Sequence, residues 1–381
     1  MDTGQWVIEL RREFHRFPEP SLHENRTAAR VEEILSSLGI ETHRVAGTGV
    51  LGRLRGGKGR GRVVALRADM DALELTEKTG LSFASENPGI MHACGHDGHT
   101  AMLLGAAKVL AEQKESLKGD VVFLFQPAEE VMQGARGMVE AGALKGVDAV
   151  FGIHAWRDLP TGKIAVQPGP LLAGIDIFKV IVRGKGGHGS MPHQGIDTIT
   201  PACLAVLGLH AIVSRELDAR NPVVLSVGQI HGGTRFNIIA DETWFDGSMR
   251  YFDPEISDMV EQKIARVVRS TAEAHRTTAE VQYTKGALPT INDSCLAELA
   301  REVVGREIGE DCLTRVKPVT GSEDFPYLTA HVPGMYVFLG VGNEAKGAAY
   351  PHHHSQFTLD EDALELGTRL HAGFARAFLS G

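Results

Sequence analysis

VVFLFQPAEE, residues 121–130, decides how the chain is read. The apolar run Val121–Phe125 has the length and content of a buried strand, and it stops at Pro127 in front of two adjacent carboxylates, Glu129 and Glu130. The same design occurs twice more. Val63–Leu66 is followed by Asp69 and Asp71, and Ala149–Ile153 by His154. A helix-patterned segment, Thr100–Ala111, lies between these runs, so parallel strands joined by crossover helices are the economical reading. In open α/β sheets ligands bind beyond the carboxyl ends of the strands, which would bring Asp69, Asp71, Glu129, Glu130 and His154 together.

Outward from that sheet, Trp6, Leu10 and Phe14 mark one N-terminal helix, and Val31, Ile34, Leu35 and Leu38 mark another. Between 176 and 285 the texture changes to strand (Phe178, Val180 and Val182 alternating), helix (197–214), strands (223–230 and 242–250), helix (254–272) and strand (279–284). That is the β-α-β-β-α-β order of the split ferredoxin-like fold. Asp253 before Pro254 supplies an N-cap and a first-turn proline to its second helix. After 290 the first texture resumes, with a helix near Leu296–Ile308, a run Met335–Leu339 and a last helix from Asp360. The expected organisation is an α/β domain, 1–175 and 288–381, carrying an inserted α+β domain, 176–287.

Composition narrows the function. The chain of 381 residues shows no apolar run near the roughly 20 residues of a membrane span, so no membrane partner is expected. A net charge of -9, with basic residues grouped only in RLRGGKGRGR (53–62), leaves no footprint for nucleic acid; that stretch reads as a solvated turn. Cys94, Cys203, Cys295 and Cys312 are far apart and form no disulfide framework. The first residues, MDTGQWVIELRREFHRFPEP, show no signal-peptide pattern, and a cytoplasmic location is expected.

MHACGHDGHT (91–100) packs three histidines, a cysteine and an aspartate into ten positions. A lone buried histidine or cysteine is usually only a core residue. Four such groups among glycines that permit close backbone approach instead suit a metal, because Cys94 and His96 offer the thiolate and imidazole that zinc-like cations take. His92 and His99 stay open at this point, and Asp97 or Thr100 suits a helix cap. In FLFQPAEE the adjacent carboxylates diverge, so one can bind metal while the other serves as general base. FGIHAW (151–156) and YPHHHSQF (350–357) add His154 and three consecutive histidines. Together they are the donor set of a two-metal hydrolase, whose cations sit about 3.5–4 Å apart.

RADMDAL (67–73), MHACGHDGHTAML (91–103), QPAEE (126–130), GIHAW (152–156), GKGGHGSMPHQGID (184–197), GSEDF (321–325) and HHHSQF (352–357) resemble, in order and over essentially the whole chain, the amidohydrolase branch of the aminoacylase/carboxypeptidase metallohydrolases. That branch includes hippurate hydrolases and the plant auxin-conjugate hydrolases. The resemblance implies an α/β di-metal catalytic domain with an inserted ferredoxin-like domain that dimerises and acts as a lid. Position by position, it implies Cys94, His96, Glu130, His154 and His353 as metal ligands, Glu129 as catalytic base, and Asp71 as the carboxylate that orients a ligand. It further implies that His188 reaches into the partner subunit's site, and that Asn237 and Arg250 hold the substrate carboxylate, a task for which an arginine fork is suited.

The implied activity is hydrolysis of the amide bond of a small N-acyl amino acid by a homodimer carrying two divalent ions per subunit: zinc, manganese, nickel or cobalt. A dipeptidase or carboxypeptidase with the same ligands is the nearest alternative, and a non-catalytic metal-dependent binding protein a more distant one. Glu74 where the family commonly has proline, and Ser355 where it often has another, are departures that leave the ligand set intact.

Overall fold

The computed structural model describes residues 2–381, which form two compact units. The first comprises Met1–Leu171, Ile291–Lys317 and Glu323–Gly381, and the second Leu172–Thr290 and Pro318–Ser322.

The first unit is built on an eight-stranded mixed sheet. Its centre is parallel: Asp120–Gln126, Val63–Asp69, Ala149–Pro160 and Gly334–Gly342 lie side by side in that order. Val63–Asp69 is buried at every position, because both faces of a central parallel strand are covered and alternation has no role there. The helices Thr3–Arg16, His96–Glu112 and Asp362–Ser380 contribute buried apolar faces to one large core that includes Phe123, Phe125, Phe151 and Phe374. Removing such a phenylalanine costs about 3–5 kcal/mol, since close-packed neighbours collapse only partly into the cavity.

The purely parallel expectation is corrected at the edges. Glu41–Val45 and Gly49–Arg55 form a hairpin that joins Asp120–Gln126 antiparallel, and Ile164–Ala165 runs antiparallel to Gly334–Gly342. Arg53, Leu54 and Arg55, expected in a solvated turn, belong to that hairpin, with Leu54 buried.

The second unit has a four-stranded antiparallel sheet in the order Val223–Gly232, Glu242–Tyr251, Gly174–Arg183, Thr278–Lys285, with crossover helices Ile199–Ala211 and Pro254–Ala274. This is the ferredoxin-like strand arrangement. Phe178, Val180 and Val182 alternate into its core with Phe245, Ile264 and Val268. Asp253 caps its helix by accepting the Glu255 N–H at 3.0 Å, with Pro254 in the first turn. Ile199–Ala211 continues through a π turn to Glu216, and this stretch is, by length and composition, apolar enough to cross a membrane. Ala202, Ala205, Leu209 and Ile212 nevertheless pack into the core of the unit, as a crossover helix requires.

Candidate metal centre

Every strand end singled out in the sequence contributes to one cluster in the first unit. Gly95, at φ 92°, lets the chain turn sharply from Cys94 into the helix that starts at His96; a Cβ there would stand 3.3 Å from the Ala155 side chain. Ala128, at φ 53°, makes the corresponding turn after Pro127, just before Glu129 and Glu130, whose carboxylates both approach His96 Nε2.

His96 Nδ1 lies 2.9 Å from the Asp71 carbonyl and 3.3 Å from its carboxylate, which puts the proton on Nδ1 and turns the Nε2 lone pair inward. His154 is set the same way, Nδ1 donating to the Ala155 carbonyl at 2.7 Å. Its Nε2 is 3.6 Å from Cys94 Sγ. Zinc–sulfur and zinc–nitrogen bonds meeting at a tetrahedral angle would hold those atoms about 3.5 Å apart. Glu130 stands between His96 Nε2, 3.9 Å from Oε1, and His353 Nε2, 3.5 Å from Oε2. Glu129 Oε2 is 4.0 Å from His96 Nε2. Cys94, His96 and His154 form one group able to hold a cation, and Cys94, Glu130 and His353 form another.

Among the three consecutive histidines only His353 enters such a group, held at φ 62° with its N–H on the Ala93 carbonyl. His352 donates to the Ala155 carbonyl at 2.9 Å, and His354 stacks on Tyr350. His99 has both ring nitrogens engaged, by Asp69 at 2.5 Å and by the Ala155 N–H at 2.8 Å. His92 is buried against His15. Neither Asp97 nor Thr100 caps the helix. Asp97 is gripped by Arg11 and His15 at 2.7 and 2.8 Å, and Thr100 bonds the Asp69 carbonyl.

A second ring of charge was not anticipated from the sequence. Arg67, fully buried, donates to Asp69, Glu323, Asp324, Gln126 and Tyr336. Glu323 and Asp324 bring carboxylate oxygens within reach of Glu129. RADMD and GSEDF carried the signal, but nothing local says that residues 67 and 323 meet.

The electrostatics favour a bound cation. Burial, reinforced by Glu323, Glu130 and Asp324, pushes Glu129 well above the usual carboxylate range. Burial raises Glu130 to about 7 despite His96. Burial, with His99 and His352, holds His154 well below the ordinary imidazole value, the neutral form that ligates metal. His96 Nε2 and Glu130 Oε1 are buried without a hydrogen bond of ordinary geometry. A thiol, imidazoles and crowded carboxylates, with Arg67 as the buried guanidinium among them, are a donor set that divalent cations would complete.

The remaining sequence-derived residues lie in the second unit. His188 is exposed on the loop that pairs with Ile238–Ile239, and its Nδ1 accepts from Ser190 N at 3.1 Å. Asn237 is in the opposing segment, its carbonyl accepting the Gly189 N–H and its side-chain oxygen buried without a partner. Arg250 donates to the Thr320 carbonyl and Ser322 Oγ at 2.8 and 2.9 Å, so its guanidinium is already committed in part to its own unit.

A sheet of this topology with such a cluster at its strand ends defines a metal-dependent hydrolase of α/β type. The model of Peptidase family M20/M25/M40 matches residues 65–377, and the chain belongs to that family. It is 42% identical over 381 residues to thermostable carboxypeptidase 1 of Saccharolobus solfataricus, covering 99% of this chain and 96% of the relative. It is 40% identical over 359 residues to N-acetyl-L-cysteine deacetylase of Bacillus subtilis, covering 94% and 84%. Among solved structures, a dinuclear metal-binding M20 peptidase of Bacillus subtilis superposes with a TM-score of 0.89 at 35% identity, covering 99% of each chain.

Proposed function

We propose that this protein hydrolyses the amide bond of N-acyl amino acids, hippurate-like or N-acetylated, releasing a carboxylic acid and a free amino acid. The observation that carries the reading is the convergence of Cys94, His96, Glu130, His154 and His353 around atoms left without hydrogen bonds, with Glu129 beside them. Two divalent cations per subunit would be held by those five residues, and cysteine ligation favours zinc over manganese, nickel or cobalt. Bound there, they supply Lewis-acid polarisation, activation of water near neutral pH and the field that keeps nearby carboxylates ionised.

The chain's own residues do the rest. Glu129 takes the proton of the attacking water and passes it to the leaving nitrogen as the C–N bond breaks. Asp71 fixes the ring of His96, and Arg67 balances the carboxylates behind Glu129. Asn237 and Arg250 are assigned to the substrate carboxylate. His188 is assigned to the oxyanion in the site of a partner subunit. Its Nδ1 accepts from Ser190 N, so the neutral ring carries its proton on Nε2, as a donor must. A homodimer is supported by exposed apolar residues of the second unit: Ile199, Leu204 and Leu207 on one helix, Val224 and Ile230 on the sheet's edge strand. Unpaired cysteines, one of them a proposed ligand, accord with a cytoplasmic location.

A carboxypeptidase reading is favoured by one observation, the naming of the 42% identical Saccharolobus solfataricus relative. Free amino acid released by metal-reconstituted protein from N-acetyl and N-benzoyl amino acids, dipeptides and longer peptides decides between them. Preference for the acylated amino acids is expected; preference for peptides replaces the proposal with the carboxypeptidase, and release from neither class overturns both.

A further inference from the structure

Glu24 belongs to the N-terminal segment, more than a hundred residues from the PAEE motif, and it is completely buried. Its Oε1 accepts the N–H of Leu22 at 3.0 Å and the N–H of Ala128 at 2.8 Å, while Oε2 receives the Thr48 hydroxyl. Ala128 is the residue before Glu129, and it holds a left-handed backbone that alanine adopts reluctantly because its Cβ crowds the following carbonyl. On its other side the turn is closed by Gln133 and Gly134 N–H groups on the Ala128 carbonyl, both at 3.1 Å. The segment that carries Glu24 is itself fixed: the Ala72 N–H bonds the Glu19 carbonyl at 2.8 Å, and Ser21 Oγ bonds Asp71 Oδ2 at 2.7 Å. Asp71 Oδ2 in turn accepts the Glu130 N–H. Thus the amides on both sides of Glu129 are held by carboxylates tied to residues 19–24, one directly and one through Asp71.

We propose that Glu24 is a positioning residue for the reaction: by clamping the strained Ala128 N–H it sets the direction in which Glu129 leaves the backbone. The inference rests on the reading of Glu129 as general base. It separates Glu24 from the many buried acids that merely stabilise a fold, because the group it holds is the strained turn immediately before the base. A displacement of about 1 Å at a reacting group can cost on the order of 10²-fold in rate, so a lost clamp should be read in turnover rather than in binding.

The test is a series on the full chain with metal bound. Glu24→Ala should lower kcat about 10-fold or more while KM and metal per chain stay within about 3-fold of wild type. Glu24→Gln can present the same oxygen to both amides and donate its NH2 to Thr48, so it should stay within about 3-fold of wild-type kcat. Ala128→Gly placed on Glu24→Ala should recover at least about 3-fold of the loss, since glycine adopts the left-handed turn without strain and needs less holding. If Glu24→Ala does not fold, Glu24→Asp, which retracts the carboxylate by one methylene, takes its place in the series.

Full turnover in a folded Glu24→Ala overturns the inference. So does a loss that follows the folded fraction or the metal content, is as large in Glu24→Gln, and is not relieved by Ala128→Gly. Wild-type turnover in Glu129→Gln would instead refute the assignment of the base, whatever the Glu24 series shows. An inactive Glu129→Gln beside a flat Glu24 series removes this inference alone.

Discussion

Asp71 accepts the backbone N–H of Glu130 through Oδ2 at 3.0 Å, so the end of one parallel strand is fastened to the loop that leaves its neighbour. The same residue faces His96 Nδ1 with both its carbonyl and its carboxylate. One residue, through its carbonyl and its carboxylate, therefore fixes two proposed ligands from separate segments, the kind of outer support that sets ring orientation and donor strength in metal sites.

Metal dependence follows from that arrangement. Chelation is expected to abolish activity, and Cys94→Ser or His96→Ala to lower bound metal below wild-type stoichiometry. Metal analysis of the purified variants checks this, and unchanged content in both would remove them from the ligand set.

Glu129 and Glu130 should separate cleanly despite being neighbours. Glu129→Gln is expected to keep metal and fold while losing at least about 10² in turnover, the usual scale of a positioned general base. Glu130→Gln is expected to lose metal, because its two oxygens face His96 and His353. Exchanged phenotypes would mean that the two roles are reversed.

Arg67 is the cation on which the carboxylates behind the site depend. With Asp69, Glu323 and Asp324 around it and no exposure to water, Arg67→Met strands buried negative charge, and a loss of about 3–5 kcal/mol is expected in denaturant unfolding. A change under about 1 kcal/mol would show that the carboxylates protonate or find water at little cost.

What the sequence disclosed was whatever is local. The apolar runs Val63–Leu66, Val121–Phe125 and Ala149–Ile153 announced parallel strands and the chemistry beyond their ends, and the alternation Phe178–Val180–Val182 announced the antiparallel sheet. The edge hairpin Glu41–Arg55 escaped notice because its outer strand is largely exposed and carries glutamate, threonine, histidine and arginine rather than an apolar stripe. Partners across the fold were equally silent. Glu24, Arg67 and Asp324 are ordinary charged residues until the topology places them against Ala128, Glu323 and Gln126. Alanine at φ 53° gives no sign in the sequence, whereas Gly95 at least permits its turn openly.

His188 is where function is expected to cross between subunits. It sits exposed on a glycine-rich loop, and a histidine sent outward in this way is ordinarily a surface residue. The Ser190 N–H donates to Nδ1, which leaves Nε2 as the ring atom free to face a ligand. Removing one oxyanion donor costs about 10²–10³ in turnover, and that loss is expected for His188→Ala, with metal content unchanged because His188 is outside the metal-capable groups. Subunit mixing then separates a shared site from a local one. His188→Ala and Glu129→Gln are each expected to retain about 1% of wild-type turnover or less alone. A mixed dimer carries one site in which both residues are wild type, provided the histidine comes from the other subunit, so activity should return to about half the wild-type value per mixed dimer. Recovery is read by assaying equimolar mixtures before and after exchange, with heterodimer formation followed through a mass tag on one variant. Exchange without recovery would assign His188 to its own subunit or to the shape of its loop.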